Sequence, residues 1–269
     1  MRKKLYIKIV MIIIGGAIII SIYNSQKYID VMKYNGKDIQ WITEIPIAHR
    51  GLQKENCPEN SMAAFKCSID EGYPIELDVR LTKDKKVVVF HDKNLNRLTN
   101  DKRDIENITF NELKKLSLLS TNEKIPLLKK VLKEVDGKVP LLIEIKSCDD
   151  IIELTCNVNE ILENYKGNYA IQSFDKKAIE WYEINNPDVV KGLLINNSKE
   201  LKVINIYTDI FEENIRYIDF ISISIGNIDN NDVQRLRGLG WTILTWTVKD
   251  KKSLEKANRY SDNYIFDYF

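Results

Sequence analysis

A (β/α)8 TIM barrel with a small insertion after its second strand is the fold class this 269-residue chain predicts. Three observations predict it. From residue 45 onward, short β-rich runs alternate with helical patterns, which argues for a parallel sheet rather than a sandwich. The barrel runs number eight. About 230 residues carry them, within the range of one α/β barrel and enough to bury a large core. No Pro/Gly/Ser linker or internal repeat marks a second domain.

The first element lies outside the barrel. Arg2, Lys3, Lys4 and Lys8 precede an uncharged, Ile-rich run at 9–22. If Lys8 snorkels, the apolar stretch 5–23 holds roughly 19 residues, enough for a helix to span a bilayer of about 30 Å. Residues 1–24 are therefore expected to form a transmembrane signal-anchor. The positive flank places the N-terminus in the cytoplasm, giving a single-pass protein of the cell membrane with its main domain extracytoplasmic. Secretion after signal cleavage is the alternative, although SIYNSQKY at 21–28 offers no Ala-x-Ala-like site. Residues 25–44 form a juxtamembrane segment, and 45–269 form the domain.

Within the domain, strand one is expected at 45–49. A helix follows at 60–71, with apolar positions 62, 65 and 69 and a cap from Asn60 or Ser61. Strand two is 75–79. The run 87–91 follows it after a turn at 82–86 that is too short for the crossover a parallel partner needs, so it reads as an extra strand turning back. The polar stretch 92–115 becomes an insertion on the active-site side. Helices at 127–135, 150–164, 175–185, 197–204, 230–238 and 250–259 then alternate with strands at 141–145, 169–173, 190–195, 220–224, 242–247 and 264–266. No eighth outer helix follows the last strand, and residues 25–44 are expected to cover that gap.

Charge is balanced, with 40 basic and 39 acidic side chains and a net charge of +1, so no nucleic-acid-binding field is implied. Cys57, Cys67, Cys148 and Cys156 have neither CxxC spacing nor a Cys/His cluster, which argues against zinc and thioredoxin-type redox sites. A Cys57–Cys67 bridge stays open, with small buried apolar side chains as the default. Oligomeric state is not legible.

The chain has only two histidines: His49 in IAHRG and His91 in VVVFHD. Residues two apart on a strand face one side, so Glu76 and Asp78 in IELDVR project together, as do Glu144 and Lys146 in LLIEIK. At the C-terminal ends of barrel strands these groups converge. Three converging carboxylates repel one another unless a cation is present, and all-oxygen ligation favours one divalent Mg²⁺ or Ca²⁺. Two imidazoles suit proton transfer near neutral pH. Arg50 and Lys146 can hold an anion beside the cation, a guanidinium being well matched to phosphate. Together these groups point to phosphodiester cleavage.

These residues resemble the glycerophosphodiester phosphodiesterase family, whose barrel belongs with the phosphatidylinositol-phospholipase-C-like phosphodiesterases. AHRG (48–51), PENSMAAF (58–65), GYPIELDVRLTKD (72–84), VVFHD (88–92), LNRLT (95–99), IPLL (125–128), IEIK (143–146), IQSFD (171–175) and WTV (246–248) carry the resemblance in order and spacing. It implies that 45–269 is a glycerophosphodiester phosphodiesterase domain hydrolysing its substrates to glycerol 3-phosphate and an alcohol. Catalytic roles fall to His49 and His91, and metal ligation to Glu76, Asp78 and Glu144. Arg50 and Lys146 become phosphate contacts, and Trp246 offers a face to glycerol. Glu59 and Asn60 support the first loop. The implied mechanism has two steps through a cyclic phosphate, with His49 in the first assignment as base and His91 as acid. One departure stands at the end, where the family commonly has Thr-Asp and then Pro two residues on, and this chain has Phe266-Asp267-Tyr268-Phe269. Two rival readings are a lysophospholipase D-like phosphodiesterase and a catalytically silent, membrane-tethered binding protein.

Overall fold

Nine strands, all within one compact unit from Lys37 to Phe269, build the computed structural model, which describes residues 37–197, 200 and 218–269. They are β1 (Ile47–Ala48), β2 (Ile75–Leu81), β3 (Val87–Val89), β4 (Leu141–Ile145), β5 (Tyr169–Ser173), β6 (Val190–Ile195), β7 (Phe220–Ser224), β8 (Thr242–Val248) and β9 (Asn263–Phe266). All pair in parallel except β3, and β1 pairs with both β9 and β2, so the sheet closes into an eight-stranded parallel barrel. β2, β4 and β6 are buried at every position, the consequence of a parallel sheet filled inside and covered by helices outside.

The extra strand turns back as expected. β3 runs antiparallel to β2, pairing Val79 with Val89 and Leu81 with Val87. Val79 also pairs with Ile145 of β4, so β3 takes the opposite edge of β2, the edge β1 holds at Ile75. The insertion is longer than the polar stretch 92–115. It packs a core of its own in which Leu95, Leu98, Ile105, Ile108 and Leu113 join Leu118, Ile125, Val88 of β3 and Phe90 just after it. Polar composition set the expected limit at 115, where the apolar cluster Leu116, Leu118 and Leu119 begins.

Helices flank the barrel where the apolar spacing places them. α1 (Trp41–Glu44) precedes β1. α2 (Met62–Glu71) starts at Ser61, whose hydroxyl accepts from the Ala64 amide, and stops at Gly72 in the left-handed region at φ 75°. Further helices are Leu128–Val135, Ile151–Leu162, Lys176–Asn185, Asn231–Gly238 and Lys251–Tyr260, while the one expected at 197–204 falls almost wholly outside the described residues.

The described part of 25–44 does not fill an outer gap. Ile42, flanked by Ile39 and Trp41, packs against Ile47, Leu142, Ala170, Val190, Phe220, Leu244 and Ile265, the interior residues near the strand starts. It closes the base of the barrel. Asn263 Nδ2 donates to the carbonyls of Ile42 and Ile45, and Lys37 pairs with Asp219 at 3.0 Å, so polar anchors fix an apolar plug. Gly192 makes the same interior possible, since a Cβ there would lie 2.1 Å from the Phe220 ring. The expected anchor at 1–24 and residues 25–36 lie outside the described residues. Among the described residues, no helix is long and apolar enough to cross a membrane.

Candidate active site

Period-two alternation on β2 and β4 brings three carboxylates together. Asp78 pairs in register with Glu144, and Glu76 precedes Asp78 on the same face. All three are buried, and one oxygen from each lies within 4.8 Å of the others. Burial, with Asp78 and Glu144 nearby, raises the Glu76 carboxyl well above its ordinary value. Burial and Asp78 push Glu144 up to about 7. Asp78 goes the other way, because burial is outweighed by Lys146, Arg50, His91 and a hydrogen bond from Asn60. Crowded buried carboxylates that resist ionising are the signature of a site built around positive charge.

Two side chains supply part of that charge. Lys146 Nζ lies 2.5 Å from Glu144 and 3.4 Å from Asp78, and these carboxylates raise its pKa against the opposing effect of burial. Arg50 reaches the site from the loop after β1, in the left-handed region at φ 57°. Its amide donates to Glu76 Oε2 at 3.0 Å, while its guanidinium binds Glu59 at 2.6 Å and lies 3.3 Å from Asp78. That last contact is an ion pair outside hydrogen-bond geometry, leaving Arg50 Nε buried with no hydrogen bond, while the buried Glu144 Oε1 faces the Lys146 ammonium. Gln172 Oε1, Ser222 Oγ and Trp246 Nε1 are also buried with no hydrogen bond. Gln172 sits beside Glu144 in register, and Trp246 packs edge-on against Phe174. The donor set, three buried carboxylates each offering an oxygen, fits a hard divalent cation.

The histidines enter from different elements. His49 follows β1, its amide bonded to the Phe266 carbonyl of β9, and its Nδ1 lies 2.6 Å from Asp267. His91 follows β3, with Nδ1 2.7 Å from Asp92 and its carbonyl accepting from Arg80 Nε at 2.7 Å. Burial, together with Lys146 and Arg50, lowers the His91 pKa below 6.5 despite Asp78 and Asp92. In each dyad a donating Nδ1–H leaves Nε2 free for proton transfer.

The sequence reading omitted the groups that hold these imidazoles. Asp267 belongs to the departing C-terminal motif, and its role depends on barrel closure bringing β9 beside β1. Asp92 stands next to His91, and Arg97 lies within LNRLT. Arg97 binds Asp92 Oδ2 at 2.6 Å and clasps both oxygens of Glu59, which also holds Arg50. One ionic chain therefore runs from His91 through Asp92, Arg97 and Glu59 to Arg50. Asn60, at φ 55° and fully buried, donates to Asp78 at 2.9 Å and accepts from the Asp78 amide at 3.4 Å. The supporting role expected of Glu59 and Asn60 is what the contacts show.

The chain is similar to known proteins along most of its length. The model of the glycerophosphoryl diester phosphodiesterase family matches residues 49–266. The protein YhdW of Bacillus subtilis is 29% identical over 238 residues, covering 82% of this chain and 93% of that one. The glycerophosphodiester phosphodiesterase of Bacillus altitudinis is 42% identical over 159 residues, covering 55% of this chain and 64% of that enzyme. Among solved structures, a phosphodiesterase of Oleispira antarctica in complex with the product sn-glycerol-3-phosphate superposes with a TM-score of 0.73 at 24% identity, over 82% of this chain and 92% of that one. A match that begins at His49, directly after β1, and ends on β9 takes in every later strand of the barrel, and the chain belongs to the glycerophosphoryl diester phosphodiesterase family.

Proposed function

We propose that this chain hydrolyses glycerophosphodiesters to glycerol 3-phosphate and an alcohol, in a cation-dependent reaction through a cyclic phosphate. The observation that carries this reading is the convergence of Glu76, Asp78 and Glu144 within 4.8 Å, flanked by Arg50, Lys146 and an imidazole. Family membership supports it, as does the product held by the Oleispira enzyme.

Arg50 and Lys146 hold the phosphate oxygens, and Trp246 offers its ring to glycerol. A Mg²⁺ or Ca²⁺ held by Glu76, Asp78 and Glu144 supplies, when bound, charge that acidifies the glycerol 2-hydroxyl and stabilises the equatorial phosphate oxygens. The dyads divide the proton work. Asp92 is neutralised by Arg97 at 2.6 Å, and burial with Lys146 and Arg50 lowers the His91 pKa, which favours its neutral form. Beyond its histidine, Asp267 faces, among the described residues, the exposed Lys249 at 3.5 Å, so more of its charge is available to His49. His91 is thus the base that takes the proton from the 2-hydroxyl, which attacks phosphorus. His49 protonates the departing alcohol. Water then opens the cyclic phosphate with the roles exchanged. This order reverses the first assignment, and its reason is the unequal neutralisation of the two aspartates.

We further propose that residues 1–24 tether the domain to the outer face of the cell membrane, on the strength of the basic flank and the apolar run. Carbonate extraction of cells, with protease added to intact spheroplasts, tests the tether and its side.

The enzymatic test is a panel of glycerophosphodiesters and lysophospholipids, with and without chelator. Glycerol 3-phosphate release that stops with chelator is expected, as is its loss in His49→Ala and His91→Ala with melting behaviour unchanged. Choline release from lysophosphatidylcholine but not from glycerophosphocholine would replace this reading with a lysophospholipase D. No turnover of any substrate would leave a silent binding protein, and near-normal activity in either histidine variant would refute the paired mechanism.

A further inference from the structure

Two thiols meet beside the site without serving it. Cys57 lies in the loop between β1 and α2, three residues before Asn60, and Cys67 lies on α2. Their sulfurs are 3.3 Å apart, each half-buried. The loop is already fastened to the same helix at a second point, where Lys54 Nζ sits 2.6 Å from Glu71. Closing the sulfurs from contact to a bond of about 2.05 Å requires a shift of little more than 1 Å, shared between a loop and the last turns of a helix.

We propose that Cys57 and Cys67 form an intramolecular disulfide that staples the active-site loop to α2. In the reaction two S–H bonds break and one S–S bond forms. The two protons and the electron pair pass to an oxidant of the disulfide class, which is reduced to two thiols. One thiolate attacks the oxidant's sulfur and expels a thiolate, and the second cysteine then attacks the mixed disulfide and expels the other. Burial and the hydrogen bond with Cys67 push the Cys57 thiol up to about 11, which slows the closing step at neutral pH. The bridge bears on the site because the stapled loop ends in Glu59 and Asn60, which hold Arg50, Arg97 and Asp78. Cys148 and Cys156 lie elsewhere in the sequence and remain thiols.

The test uses the full-length chain treated with oxidised glutathione at about pH 9, where such a thiol ionises in part. After denaturation in N-ethylmaleimide and trypsin digestion, the proposal expects peptide 55–66 joined to peptide 67–80, separable by dithiothreitol. The joined species is lighter than the two thiol peptides by about 2 Da. The oxidised chain should melt higher than the reduced chain by roughly 5 °C or more. The Cys57→Ser/Cys67→Ser double variant should show no oxidant-dependent shift. In each single variant the remaining cysteine should stop at a glutathione adduct. Maleimide on both Cys57 and Cys67 of the wild type, or glutathione adducts there with no joined peptide, would overturn the proposal. None of these readouts depends on the proposed hydrolase activity.

Discussion

Asp267→Asn keeps the volume of the side chain and removes its charge. The Asp267 carboxylate lies 2.6 Å from His49 Nδ1, with side-chain exposures of 30% and 17%, so the bond is charge-assisted and largely shielded from water. Hydrogen bonds to charged groups contribute roughly 1.5–3 kcal/mol. The exposure of Asp267 and its second contact with Lys249 place this one in the lower half of that range, at about 1.5–2 kcal/mol. At about 1.36 kcal/mol per decade, the expected loss in kcat/KM is roughly 10- to 30-fold. The assay is steady-state release of glycerol 3-phosphate from a glycerophosphodiester across pH, in wild type, Asp267→Asn, His49→Ala and the double variant. In the His49→Ala background the Asp267 substitution is silent. A loss smaller than threefold, or an equal loss without His49, would refute the reasoning.

Three further outcomes follow from the geometry. The raised Glu76 and Glu144 carboxyls bind more protons in the cation-free fold than in the unfolded chain, from their ordinary 4.5 up to about 7 for Glu144. Stability of the cation-free protein therefore falls as pH rises through that window, whereas the lowered Asp78 acts only below 3.8. Saturating Mg²⁺ or Ca²⁺ should raise the melting temperature more at about pH 8 than at about pH 5, and equal gains would sink the metal assignment. Asn60→Ala should cost about 2–4 kcal/mol in urea denaturation, through the lost Asp78 bonds and a Cβ in the left-handed region. Asn60→Gly should recover about 1 kcal/mol of that, and a Gly variant as stable as wild type would deny the buried bond any worth. Gly192→Ala should cost roughly 1–3 kcal/mol by driving a Cβ into Phe220, with Phe220→Leu restoring much of it; an unchanged urea midpoint would contradict the interior packing.

The sequence made legible what local periodicity encodes. Strands β2 and β4 to β9 stand within a residue or two of expectation, because a strand buried on both faces is a short apolar run between polar turns. β1 was read as 45–49 and is Ile47–Ala48, since Pro46 has no amide to donate and Ile45 is exposed. The carboxylate trio was legible for the same reason as the strands: acidic residues at i, i+2 in an apolar run have one face to share. What stayed hidden depends on contacts between distant segments. Asp267 meets His49 across 218 residues of chain, and only recognition that β9 closes beside β1 would have found it. Ile42 was read as part of an outer cover, yet it seals the base, because a short apolar helix carries no information about which open surface it will meet. Arg97 was in view inside LNRLT, but its ability to serve both Asp92 and Glu59 follows from the folding of the insertion.

The way β3 shares an edge of β2 with β1 decides how the active site can vary. His49 is delivered by a strand running toward the mouth and His91 by one running away from it, so their separation is fixed by ladder register rather than by the length of any loop. A one-residue slip in that ladder would turn His91 to the opposite face. Residues beyond Asp92 face no such constraint while Val88 and Phe90 stay clamped and Arg80 keeps its hold on the His91 carbonyl. The insertion thus hangs from three paired residues, and its sequence and length can change while that register keeps His91 in place.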